Sequence, residues 1–235
     1  MSNPLPQIVL LELTSRTDRA ARYYAYVINR YSGQADVRLI TTPQGASAFF
    51  QLDAPQHPVV HVSNSFLESP ELDILAPQAA KFVREGGSFV FSNPPMTGQA
   101  RKNFRTLFEA FSLPWDFGWY CGTECVLNPD CTAIRKENLT PKYRMKAVKL
   151  RNVKREDKVY VPSAEALQPR LVHAFGETIN LADDPDEVPI AVAEVGAGKV
   201  GYIGDINADI GDLIGDTSAD YVESGAVLRA MLGLN

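Results

Sequence analysis

Cysteine and histidine are scarce in this chain: three of each in 235 residues. The cysteines, Cys121, Cys125 and Cys131, are separated by three and five residues and so lack the paired C-x2-C spacing of a structural zinc site. An odd number of thiols also argues against a disulfide framework. They read as buried or partly buried free thiols, and no metal site is expected. No run approaches the roughly 20 apolar residues that span a bilayer. The opening Met1-Ser2-Asn3-Pro4-Leu5-Pro6 has neither a basic stretch nor an apolar one, so the chain is expected to be cytoplasmic, with no membrane partner. Positive charge is not in excess either. The net charge is −5, and the densest basic stretch, Lys142 to Arg155, reads as a solvated strand pair or loop, so nucleic acid is not an expected partner. Internal repeats and low-complexity segments are missing as well.

What is present is a regular alternation. Ile8–Leu13 is a nearly unbroken apolar run, the pattern of a strand covered on both faces. Ala20, Tyr24, Val27, Ile28 and Tyr31 then recur at helical spacing before Gly33. Val37–Ile40, Pro58–Ser63 and Ser88–Ser92 predict three more strands. A short helix fits Ala46–Gln51, and apolar stripes predict helices through Leu72–Val83 and Phe104–Phe111. Strands alternating with helices require a parallel sheet with right-handed crossovers. From Trp115 to about Phe175 the pattern changes to short β pieces with charged loops, read as an antiparallel insertion within one domain spanning 1–235. Leu181–Glu187 reads as an acidic surface loop. Pro189–Val195 and Lys199–Gly204 flank Gly196-Ala197-Gly198 as a hairpin, and Tyr221, Gly225, Leu228 and Leu232 mark a final helix.

Gly196-Ala197-Gly198-Lys199 is not a phosphate loop, because Val200 replaces the hydroxyl residue and a strand, not a helix, follows. The loop Thr14-Ser15-Arg16-Thr17 after the first strand has hydroxyls and a guanidinium suited to an anion at a helix start. It lacks the glycine that allows close backbone approach, and helix capping by Thr17 or Asp18 explains it without a ligand. Ser92, at the end of the fourth strand, has no flanking glycines and no base evident from the sequence; His61 lies inside the third strand. Glu12 and Asp205 would share a crevice only if their strands were neighbours.

The apolar first strand, the junction Phe82–Phe91 and the late hairpin Val195–Asp205 together resemble class I glutamine-amidotransferase-like proteins, and within them the ThuA-like branch. The resemblance implies a flavodoxin-like, three-layer, mostly parallel α/β sheet with an antiparallel β extension, and a ligand crevice at the strand ends. It does not imply amidotransferase activity. The catalytic cysteine position is occupied by Ser92 or Asn93, no His-Glu partner pair is visible, and Asn93 stands where ThuA-like proteins often carry a histidine.

Open α/β sheets bind ligands beyond the carboxyl ends of their strands, where strand order reverses. The expected ligand-binding residues are therefore Thr14, Ser15, Arg16, Ser63, Asn64, Ser92, Asn93 and Asp205. The expected function is non-catalytic binding of a polar small molecule. The alternatives are a hydrolase or isomerase acting on a sugar-like or phosphorylated metabolite, and an assembly protein using Trp115, Phe117, Trp119 and Tyr120. No cofactor is expected, no catalytic residue is assigned, and a homo-oligomer is left open.

Overall fold

The computed structural model of the chain describes residues 5–13, 25, 27–29, 31–52, 58–92, 94, 98–174, 177–206, 208 and 219–234. Strand β1 (Gln7–Leu11) has its apolar residues Ile8 to Leu11 all buried, as a strand clad on both faces requires. It lies between β2 (Asp36–Ile40) and β3 (Val59–Val62), parallel to both. Next comes β4 (Ser88–Ser92), parallel to β3. The four segments predicted as parallel neighbours are therefore side by side, in the order β2-β1-β3-β4.

The region after Pro114 joins the same sheet. β5 (Asp116–Leu127), β6 (Lys142–Arg151) and β7 (Lys158–Pro162) are antiparallel to one another, whereas β8 (Arg170–Ala174) and β9 (Glu177–Leu181) form a separate hairpin. β10 (Ile190–Val195) and β11 (Gly198–Ile203) make the glycine hairpin, with Gly196 at φ +64. A side chain at Gly196 would meet the Arg84 carbonyl at 2.6 Å, and one at Gly198 the Gly87 carbonyl at 2.0 Å. The turn thus needs glycine for close approach as well as for its backbone angle. The full order is β2-β1-β3-β4-β11-β10-β7-β5-β6, with five parallel strands and an antiparallel extension. Here the chain has the expected flavodoxin-like α/β architecture.

The extension curls back on itself. The outer edge of β6 bonds to the segments flanking the hairpin: Val148 N–H donates to Gly204 O, and Leu150 and Val188 exchange both backbone bonds. This satisfies edge groups that would otherwise template association.

Side-chain parity divides the core in two. Val9, Leu11, Val60, Val62, Phe89 and Phe91 face one helical layer: α1 (Pro43–Phe50), α2 (Asn64–Leu67), α3 (Leu72–Arg84) and α4 (Gly98–Ala110). The hydroxyl of Thr42 accepts from Gly45 N–H and Pro43 opens the helix, fixing where α1 starts. α3 places Leu72, Leu75, Ala76, Ala79, Phe82 and Val83 on its buried stripe, as its spacing predicts. Ring contacts run from Phe49 through Phe82, and from Phe66 and Phe89 to Phe111 and Phe108. Each such buried ring contributes about 1.5–3 kcal/mol of transfer free energy. Ile8, Leu10, Val90, Val192 and Ile203 face the other layer, which includes α5 (Ala219–Met231). Among the described residues no helix is long and apolar enough to cross a membrane.

Candidate functional site

The same parity places a band of polar side chains across one face at the carboxyl ends of the parallel strands. Leu10, His61, Val90 and Ile203 share that face, since Leu10 pairs with His61, His61 with Val90, and Ile203 with Ser92. Two residues further on, beyond the apolar floor, come Glu12, Ser63, Ser92 and Asp205.

The sheet reverses between β1 and β3, and Glu12 and Ser63 meet at this reversal. Ser63 Oγ donates to Glu12 Oε2 at 3.4 Å and lies 3.4 Å from Ser65 Oγ. Ser65 Oγ in turn accepts the Leu13 N–H at 3.2 Å, tying the end of β1 to the start of α2. Asn64 Nδ2 donates to Glu68 Oε1 at 2.9 Å, while Asn64 Oδ1 is buried without a hydrogen-bond partner. An orphaned buried acceptor at a strand end is uncommon and costs stability unless something pairs with it.

His61 Nε2 lies 2.8 Å from Ser92 Oγ. Sequence reasoning missed this partner, because the contact crosses from β3 to β4. Once the two strands are known to be neighbours, their shared parity supplies the signal. His61 is 3% exposed and Ser92 0%. Further along the band, Asp205 is buried and accepts from Ser224 of α5. β3 and β4 stand between β1 and β11, so Glu12 and Asp205 do not flank a common crevice as adjacent-strand residues. Burial pushes the Tyr143 phenol well above its ordinary pKa, and the Asp205 charge adds to the effect. Thr14, Ser15, Arg16 and Asn93 lie outside the described residues.

A second polar cluster corrects two sequence readings at three residues. Asp183 and Glu187, in the stretch read as an acidic surface loop, are buried, and so is Lys149 from the stretch read as solvated. Lys149 Nζ pairs with Asp183 Oδ2 at 2.8 Å, Arg170 holds Oδ1 at 2.8 Å, and Thr123 donates its hydroxyl to Oδ2. Glu187 accepts from Arg151 Nε at 2.6 Å and from Trp119 N–H at 2.9 Å, filling the space a side chain at Gly118 would need. Lys149 of the basic strand and Asp183 of the acidic loop neutralise each other inside the extension, while Arg144, Lys146, Asp184 and Asp186 around them stay exposed. Burial opposes ionisation of Asp183, yet the hydrogen bonds from Lys149, Thr123 and Arg170 prevail and hold its carboxyl below the usual range. The thiols behave as expected. Cys125 and Cys131 are buried and Cys121 is half-buried; burial raises Cys121 and pushes Cys125 to about 12. The aromatic group splits, with Trp115 and Phe117 in the core and Trp119 60% exposed. Among the described residues no group of three or more His, Cys, Asp and Glu could hold a metal ion.

The fold of the chain is similar to that of several solved structures. A ThuA-like protein from Parabacteroides merdae superposes with a TM-score of 0.53 at 12% identity, covering 99% of this chain and 91% of that one. One from Bacteroides uniformis gives 0.54 at 11% identity, covering 99% and 93%. An exo-β-1,4-mannosidase from an Opitutaceae bacterium gives 0.50 at 11% identity, covering 96% of this chain but 36% of that chain. The fold is therefore ThuA-like; at these identities the likeness concerns fold alone. No protein-family model and no curated protein matches the sequence.

Proposed function

We propose that this ThuA-like-fold protein binds a polar small molecule at the carboxyl ends of β1 and β3 without turning it over. The observation that carries the reading is the Glu12–Ser63–Ser65 hydrogen-bond array at the reversal of strand order, beside the orphaned Asn64 Oδ1. A carboxylate, hydroxyls and an amide acceptor suit a ligand rich in hydroxyl groups, such as a sugar or sugar phosphate. In this reading Ser92 and His61 support the floor, since a nucleophile needs access and Ser92 is wholly buried.

One observation favours the alternative, a hydrolase: the 2.8 Å His61–Ser92 contact has the reach of a base to its nucleophile. Isothermal titration with a panel of monosaccharides and their phosphates, alongside a chromogenic ester and amide panel, separates the two. Binding lost in Glu12→Gln and Ser63→Ala, with no turnover, is the expected result. Ester turnover abolished by Ser92→Ala would establish the hydrolase instead.

A further inference from the structure

The face that carries the polar band at one end opens into a cavity of about 460 Å³ at the other, near the amino ends of β3, β4 and β11. Val90 and Val192 form its floor, Met231 and the end of α5 one wall, and the loop 133–138 the opposite wall. Lys199 Nζ donates to Ala133 O at 2.7 Å and so pins that loop to the hairpin. Volume and apolar floor both fall in the range of small-molecule sites, roughly 300–1,000 Å³.

The rim is charged with one sign in excess. Among the described residues Arg135, Lys199 and Arg229 line it against one carboxylate, Glu137. Eight of the described lysines and arginines have acid partners, buried Lys149 among them. Among the described residues Arg135 and Arg229 have neither an ion pair nor a side-chain hydrogen bond. Arg229 in the last turn of α5 is explained by the helix dipole alone. Arg135 belongs to no helix, so the dipole does not account for it. Guanidinium groups present planar paired donors that match carboxylate, sulfonate or phosphate oxygens. Above an apolar floor, they fit a molecule with an apolar body and an oxyanion head.

We propose that this cavity is a second binding site, separate from the polar band, for an amphipathic organic anion. The body packs on Val90, Val192 and Met231, and the head is held by Arg135 and Arg229. The probe is 8-anilinonaphthalene-1-sulfonate, with neutral N-phenyl-1-naphthylamine as its uncharged counterpart, titrated by fluorescence into the folded full chain. Saturable one-to-one binding of the sulfonate is expected. The double variant Arg135→Gln/Arg229→Gln should weaken it about tenfold, the loss of about 1.4 kcal/mol of charge-assisted bonding, and leave the neutral dye within about twofold. Ala230→Phe, which fills the cavity, should weaken both. Equal sulfonate affinity in the arginine variant, or no saturation, overturns the proposal. Phenylglyoxal modification of the unmutated chain gives a second reading that needs no variant to fold. The sulfonate should protect Arg135 and Arg229 but not exposed Arg144, and protection that does not distinguish them also overturns it.

Discussion

Replacing Lys149 with methionine should destabilise the chain more than replacing Lys149 and Asp183 together. In the single variant Asp183, whose side chain has no exposed surface, keeps its charge but loses the ammonium 2.8 Å away. Breaking a buried pair by removing one partner costs about 3–5 kcal/mol. Arg170 still holds Oδ1 and Thr123 still donates, so the expected cost is somewhat smaller, about 2–4 kcal/mol. For a chain of this size that lowers the melting temperature by about 5–15 °C. In Lys149→Met/Asp183→Leu no orphaned carboxylate remains, and Arg170, partly exposed, turns to water. The double variant should recover at least about 1 kcal/mol of the loss. Guanidinium melts of wild type, both singles and the double complete the cycle. The pH dependence follows from the same group. Its folded pKa is depressed, so its stabilising contribution is complete above the unfolded value, about 3.9, and is lost as pH falls through the lower folded value. The gap between wild type and Lys149→Met should therefore narrow below about pH 4. A single variant within about 0.5 kcal/mol of wild type, or no milder double, would refute the reasoning.

Two shorter predictions concern packing and thiols. Gly198→Ala should cost about 1–3 kcal/mol in a urea melt, because its new carbon would lie 2.0 Å from one backbone carbonyl and 2.2 Å from another, neither free to move; a cost below about 0.5 kcal/mol would contradict that packing. With a thiol-specific chromogenic disulfide at neutral pH, the native chain should show slow reaction at Cys121 alone, and all three thiols should react in denaturant. Rapid native labelling of Cys125 would contradict its burial.

The parallel half of the fold was legible because strands covered on both faces must be continuously apolar, and Ile8–Leu11 and Phe89–Phe91 are. The β10–β11 hairpin was legible because its glycines are required locally. The extension was not, since its closure depends on β6 meeting Gly204 and Val188, more than 35 residues away in sequence, with no local signal. The buried charges were missed for a related reason. Lys149 and Asp183 each read as solvated until the fold brings them together, and charge alone does not reveal a partner. The candidate site was half legible. Strand-end reasoning singled out Ser63, Asn64 and Ser92, but the His61–Ser92 contact required knowing which strands are neighbours.

The proposed site for a polar ligand lies where β1 and β3 diverge. Transverse-relaxation-optimised amide spectra of the labelled chain, titrated with hexoses and hexose phosphates, test it most directly. Saturating shifts are expected at Leu13, Ser63, Asn64 and Ser65, weakened in Glu12→Gln. Shifts confined to other parts of the chain, or none with any member of the panel at millimolar concentration, would contradict it.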